Sequence, residues 1–539
     1  MKPVGDRRSI HIAMHDAVLR MPGAPLVTFT VDPERTYTRA DFWELSMRSA
    51  AALVSSGTKA GDRVVIMTSN RIEFLATWTG AVAIGAIPAP LNTSFKGHIL
   101  RNMLALVDPV VVIAEGEVLT HLAPQLVAID FSGTLVAVDG VRTLPPATQG
   151  VGSSQCLYAD WANVAPLQEF VLTRPSDPGL ILYTSGTTGA SKAVLWPHNM
   201  LISFSETVVE IMDYQPGDVL YTALPLFHGN ALIYGFYAAL LCDATSVIAP
   251  RFSPSTFWDD MRRWGVTKTS MMGQMAAMLH GKDCDPRDPE NPVERIWITP
   301  PPADSADFET RFDVRLAQGY GLTDVGLPLG SPRDLNYPME SVGRVNPGWE
   351  VIVADDHDQP VGIGETGELL VRPLLPYTTP IGYWRNAEAT MELTRNLWYH
   401  TGDSLCRDED GWFYYLGRKK DSIRRGGENI APDEVEMVLA LHPAIAEVGA
   451  FAVPSDLTED DVMVALILHF DDVDLEEIGD FAEENLPFYA VPRYYDVRSD
   501  LPRTATHKVR REALRKTGVT PTTWDRGRTK RTQSVTENR

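Results

Sequence analysis

Between residues 61 and 92 the chain reads GDRVVIMTSNRIEFLATWTGAVAIGAIPAPLN. A Gly-Asp turn leads into a short, unbroken apolar run. A helical stretch follows, then a glycine break and a second short apolar run. An apolar run without polar alternation marks a strand buried on both faces. Strands of this kind, joined through helices, build a mostly parallel sheet with helices on its faces. The preceding segment fits the pattern: after a polar cluster, Phe42, Leu45, Ser46 and Ala50 to Leu53 recur on one helical face. Similar strand–helix units return around residues 105–140 and 240–300, and there is no internal repeat or heptad array.

From about residue 345 the style changes. WEVIVAD, GELLVRP and GWFYYLG are short strands with Gly and Asp turns, as in a small antiparallel barrel or sheet. After about 420 a new unit begins: NIAPDEVEMVLALHPAI and EEIGDFAEENL are helical, VGAFAVP and VMVALILHF extended. This is a compact α+β domain of roughly 100 residues. The final TTWDRGRTKRTQSVTENR is polar and is expected to be a disordered tail, with Arg526, Arg528, Lys530 and Arg531 solvated.

Composition removes whole classes of partner. The 539 residues carry Lys+Arg 48 against Asp+Glu 70, a formal net charge of −22. Nucleic acid and anionic membranes need a broad basic face and are excluded as main partners. A small anion needs only a few local cations. Cys156, Cys242, Cys284 and Cys406 lie too far apart for a disulfide framework or a zinc site, which suits reduced thiols. The N-terminus has charges but no apolar core, so it does not read as a signal peptide. The longest apolar run, Ala231 to Cys242, is shorter than the ~20 residues a bilayer requires and reads as a buried helix. The expectation is a cytoplasmic protein.

The first residues that carry chemistry are GLILYTSGTTGASKAV. An apolar strand, Leu180 to Tyr183, runs into Thr184, Ser185, Gly186, Thr187, Thr188 and Gly189, and then Lys192. Glycines let backbone N–H groups turn inward around an anion, hydroxyls add donors, and a lysine adds charge. This is not the GxxxxGK[ST] phosphate loop, because Lys192 stands three residues after Gly189 and precedes Ala193.

YTSGTTGASK resembles the signature of adenylate-forming enzymes: acyl- and aryl-CoA synthetases, peptide-synthetase adenylation domains and luciferases. Further motifs follow in that superfamily's order: PLFHGNAL at 225–232, YGLTD at 320–324, GETGELLVR at 364–372, HTGD at 400–403, GRKKDSIRRGGENIAPDEVE at 417–436 and LPRTATHK at 501–508. The likeness spans at least residues 36 to about 515. The GGENI run looks most like the medium-chain and carnitine/crotonobetaine-type acid–CoA ligases.

The resemblance implies an α/β fold. Two doubly wound α/β subdomains and a small β-barrel-like subdomain would form residues 1–419. A mobile α+β lid would occupy 420–520, with a tail over 521–539. It implies two half-reactions: a carboxylate attacks the α-phosphate of Mg·ATP, and the CoA thiol then displaces AMP. By resemblance Lys508 bridges carboxylate and phosphate, and Thr323 donates to the α-phosphate. Tyr320 stacks on adenine, Asp403 takes the ribose hydroxyls, and Arg418 reaches ribose or phosphate. Asp324 stands where the superfamily usually carries a magnesium-binding glutamate, and His507 where it most often has glycine. Lys420 is the hinge, and Gly426 and Gly427 line the tunnel for the thiol arm.

The acid itself would lie against His228, Gly229, Asn230, Ala231, Tyr234 and Gly319. Met272 and Gly273, with Met271 and Met275, are either a second pocket wall or plain core; spacing does not choose. Phe227 to Phe236 contains no acidic residue, so an amino-acid ammonium would find no counter-charge. The remaining partners are a carboxylic acid that is aliphatic, branched, aromatic or polycyclic, with ATP, Mg2+ and CoA. Two other readings share the fold: a ligase that loads the pantetheine arm of a carrier protein, and a non-catalytic nucleotide- or acyl-binding regulator.

Overall fold

The computed structural model describes residues 9–138, 148–184, 192–302, 304–418, 423–455, 459–470, 473–503 and 509–527, without the side chains of Arg418 and Asn429. These residues divide into two compact units. One comprises segments up to residue 93, 104–183 and 193–417; the other comprises 94–103, the ends of 184–192, and the chain from 418. Lys420, the expected hinge, lies outside the described residues.

The first unit contains the two expected parallel sheets. In one, the strands Ile87–Pro90, Arg63–Met67, Val111–Glu115, Thr134–Val138 and Ser154–Leu157 lie side by side in that order, all parallel. The apolar run read from residues 61–67 is its Arg63–Met67 strand, with Val64 to Met67 fully buried. The other sheet has seven strands in the order Arg315–Ala317, Arg295–Thr299, Lys268–Met272, Val219–Thr222, Thr245–Ile248, Pro25–Phe29 and Thr36–Thr38. Its pairs are parallel except at the last edge, where Pro25–Phe29 meets Thr36–Thr38 antiparallel. Helices alternate with these strands along the chain. The helix Arg39–Ser55 starts at a capping box, in which Thr38 accepts from the Asp41 N–H and Asp41 accepts from the Thr38 N–H.

The style change at 345 corresponds to a four-stranded sheet of Trp349–Ala354, Gly367–Pro373, Tyr399–Arg407 and Phe413–Arg418. Its first three strands pair antiparallel. A smaller antiparallel sheet, Gly319–Leu322, Gly326–Gly330 and Arg344–Val345, precedes it in the chain. Among the described residues no helix is long and apolar enough to cross a membrane. The apolar run at 231–242 is a buried helix as read, but Asn230–Tyr237 is wound as a π-helix and only Ala238–Leu241 as an α-helix.

The second unit is α+β. Its sheet runs Ile445–Pro454, Asp460–Leu468, Tyr494–Val497, Trp524–Asp525. Phe451, Val453, Met463, Ala465, Leu501 and Leu514 form its core. A correction concerns the tail expected from residue 521. Trp524–Asp525 pairs antiparallel with Tyr494–Val497, and Arg526 is buried and ion-paired with Asp480 (2.6 Å) and Glu483 (2.9 Å). Polarity misled here, because charge pairing rather than apolar burial holds this segment. Arg528, Lys530 and Arg531 lie outside the described residues.

Candidate active site

The strand Pro178–Thr184, with Leu180 to Leu182 buried, ends at Thr184. The strand Lys192–Pro197 is its neighbour in a three-stranded sheet. Thr184 and Lys192 therefore bracket the hydroxyl-rich loop; Ser185, Gly186, Thr187, Thr188 and Gly189 lie outside the described residues.

Four residues beyond Lys192, the Trp196 indole N–H donates to the main-chain oxygen of Thr323 (2.9 Å). This bond fixes the turn that joins the strands Gly319–Leu322 and Gly326–Gly330, where Thr323 and Asp324 sit, half-buried. Tyr320, just before the turn, is buried, and its hydroxyl donates to Asp403 Oδ2 (2.6 Å). The HTGD turn is built to present that carboxylate. Thr401 Oγ1 donates to Leu369 O (2.8 Å) and accepts from the Asp403 N–H (3.2 Å). Gly402 takes φ +71°, a conformation that costs other residues, and its N–H donates to Glu368 (2.9 Å). Asp403 is 2% exposed. The Tyr415 ring lies 6.4 Å from that of Tyr320, tilted by 33°. Tyr320, Thr323, Asp324 and Asp403 thus share one part of the first unit.

The proposed acid-binding residues assemble around the π-helix. Ser270 Oγ donates to Asn230 Oδ1 (2.7 Å). One turn on, Tyr234 packs edge-on against Trp297 (4.9 Å) and Phe204 (5.9 Å). Ser270 and Trp297 are register partners on adjacent parallel strands, so they share a face. Met271 and Met275 are buried in a second core, and Met272, half-buried, packs against that same core. The choice left open for the methionines is resolved: Met271 and Met275 are core. Gly319 has no room for a side chain, since a Cβ would stand 2.8 Å from Trp297 and 2.7 Å from Leu329 O. A Cβ on Gly273 would stand 2.7 Å from Pro300 O, so Gly273 serves packing. His228 and Gly229 precede the π-helix, half-buried, and Ala231 within it is fully buried.

In the second unit Gly426 and Gly427 turn the hairpin between Ile423–Arg425 and Glu428–Ile430, at φ +62° and +79°. Two successive positive φ values make glycine the fitting residue. The Gly427 N–H donates to Glu459 Oε2 (3.0 Å), and the Arg424 N–H to Asp460 Oδ2 (3.0 Å). Lys508, His507 and the Arg418 side chain lie outside the described residues. Trp196, Phe204, Ser270 and Trp297 carry no motif and were missed. Ser270 and Trp297 share a face of neighbouring strands, visible only once the strands are paired; Phe204 lies on a helix and Trp196 on a strand of another sheet, with no such signal.

Residues 14–383 match the AMP-binding enzyme family and residues 434–508 the AMP-binding enzyme C-terminal domain. The chain belongs to the AMP-binding enzyme family. The crotonobetaine/carnitine–CoA ligase of Salmonella heidelberg is 30% identical over 494 residues, covering 89% of this chain and 93% of that protein. The o-succinylbenzoate CoA synthetase of Bacillus subtilis has a similar fold, with TM-score 0.80 and 24% identity over 94% of this chain and 98% of that one. A benzoate CoA ligase from Burkholderia xenovorans gives TM-score 0.69 and 22% identity, covering 94% of this chain and 100% of that one.

Proposed function

We propose that this chain is an ATP-dependent acid–CoA ligase. A substrate carboxylate oxygen attacks the α-phosphorus of ATP; the P–O bond to pyrophosphate breaks, leaving acyl-AMP. The CoA thiol, losing its proton, then attacks the acyl carbonyl, and AMP leaves. The buried Tyr320–Asp403 pair beside the Thr323 turn carries this reading, because it presents an ionisable carboxylate and an aromatic face together. An ionised carboxylate accepts two hydrogen bonds and suits the vicinal ribose hydroxyls. The Tyr320 hydroxyl occupies one lobe of Asp403 Oδ2 and holds the carboxylate in orientation, while its ring supports adenine.

Both half-reactions build negative charge, so fixed donors and cations carry most of the rate. Thr184 and Lys192, with Ser185 to Gly189 between them, cradle the phosphates. Thr323 donates to the α-phosphate, and Arg418 reaches ribose or phosphate. Lys508 bridges the two anions that must touch. Asp324 is a single carboxylate. This suits Mg2+, which is commonly held by one or two carboxylates together with phosphate oxygens and water. Held there, Mg2+ would supply charge that offsets the phosphates. Lys420 is the hinge of the lid, Gly426 and Gly427 admit the thin thiol arm, and the second domain runs past 520 to take in the Trp524–Asp525 strand. All four cysteines are unpaired thiols, which suits the cytoplasm.

The test is product mass spectrometry after incubation with Mg·ATP, CoA and carboxylic acids. Acyl-CoA with AMP is expected. Acyl-adenylate that never becomes thioester points to a carrier-protein arm as the acceptor. Nucleotide binding without AMP release overturns the ligase.

A further inference from the structure

The turn that presents Asp403 is held from both faces of its sheet. Side chains alternate along Tyr399–Arg407: Thr401, Asp403 and Leu405 are buried on the face that carries Tyr320, and His400 and Gly402 belong to the other. On that other face stands a group of charges to which the two half-reactions give no part. His400 lies between two carboxylates, with Asp358 Oδ2 3.8 Å from its Nε2 and Glu368 Oε1 3.6 Å from its Nδ1. The side chains of His400, Asp358 and Glu368 are only 8%, 10% and 12% exposed. Arg395 closes the group: its guanidinium donates to His400 Nδ1 (3.1 Å), and its main-chain oxygen accepts from Nε2 (3.2 Å). Carboxylates so nearly buried are costly unless cations and hydrogen bonds hold them. Of the two, Glu368 is the one that reaches the turn, where Oε1 accepts from the Gly402 N–H (2.9 Å). The register between Gly367–Pro373 and Tyr399–Arg407 shifts at this point, between Glu368 and Leu370. Such an irregularity re-aims the side chains beside it.

We infer that Glu368, held in place by His400 and Arg395, is a positioning residue for the nucleotide: it acts on ATP only through Asp403, by way of the Gly402 peptide. This rests on the reading of Asp403 as acceptor of the ribose hydroxyls. The turn has one anchor on each face. Thr401 Oγ1 accepts from the Asp403 N–H on the inner face (3.2 Å), and Glu368 accepts from the Gly402 N–H on the outer face. Between them Gly402, at φ +71°, is the residue with the widest choice of conformations. Without the outer anchor that freedom is unchecked, and Asp403 loses its fixed aim. A carboxylate that takes two hydroxyls at once needs its direction fixed before they arrive.

The experiment measures the affinity of the full chain for Mg·ATP and for dideoxy-ATP, which lacks both ribose hydroxyls, by isothermal titration calorimetry. The unaltered protein is expected to bind ATP at least about 100-fold more tightly, since hydrogen bonds to a charged acceptor are strong. Glu368→Ala is expected to shrink that ratio about tenfold, weakening ATP while dideoxy-ATP binds as before. Glu368→Gln, which keeps an acceptor oxygen for Gly402, retains the ratio. His400→Ala shrinks it too, and carries the test should Glu368→Ala fail to fold. A loss that falls equally on both nucleotides overturns the inference and leaves Asp403 in its role. So does a ratio that survives both alanine variants. A ratio near one in the unaltered protein, or one that Asp403→Ala does not abolish, removes Asp403 from the ribose and overturns both readings.

Discussion

At the scale of single residues, the site depends on fixed charge and fixed donors. Lys508→Ala is expected to lower adenylation at least ~10²-fold, about 3 kcal/mol, measured by pyrophosphate exchange. Asp403→Ala is expected to raise the KM for ATP by at least about tenfold, since it removes a charged acceptor and strands the buried Tyr320 hydroxyl. An unchanged KM would remove Asp403 from the ribose role. The proximity of Tyr320 and Asp403 could be expected because both fall in motifs of the resemblance. The Trp196 contact could not: it reaches Thr323 across 127 residues of chain, and nothing local marks either partner of such a bond.

At the scale of elements, the strand–helix alternation was readable because apolar runs and helical spacing are properties of short windows. The π-winding of Asn230–Tyr237 was not, since its side-chain pattern passes for a buried α-helix. Gly427→Ala tests the hairpin turn. At φ +79° a side chain costs about 1–2 kcal/mol, so a loss of that size is expected in urea unfolding. Another element-scale prediction concerns the first helix, Ile10–Arg20. His11 is buried, bonded through Nε2 to Val171 O (2.8 Å), and meets His198 edge-on at 5.9 Å. Burial lowers His11 from 6.5 to about 4 and His198 to about 3. The unfolded chain therefore takes up these protons first. The stability is fully present above pH 6.5 and is lost as pH falls toward about 4, with about 3 kcal/mol at stake for His11. Urea midpoints against pH should show this limb, and His11→Leu should shrink it to the part that His198 contributes.

At the scale of the molecule, a net charge of −22 is compatible with the proposed ATP site, because a small anion needs only a few local cations and not a broad basic face. The α/β character and the change of style after 345 were legible from composition along the chain. The C-terminal strap was not: Trp524–Asp525 is held by Arg526, a residue type that ordinarily signals solvent. Ending the chain at Thr520 removes this strand and leaves the Tyr494–Val497 edge open. A bare edge pairs with other chains. Size-exclusion chromatography of the shortened protein is expected to show more self-association than the full chain run beside it.

The Trp196 indole belongs to two neighbourhoods at once. Its N–H holds the Thr323 turn, and its ring stacks on Phe204, 5.8 Å away, which meets Tyr234. With the nucleotide and acid placed as proposed, the two ligands would press on opposite ends of one aromatic body. Thermodynamic linkage makes any such cooperativity reciprocal: the factor by which a non-hydrolysable ATP analogue tightens the acid is the factor by which the acid tightens the analogue. Trp196→Phe keeps the stack, cuts the bond to the turn, and should bring both factors toward one together.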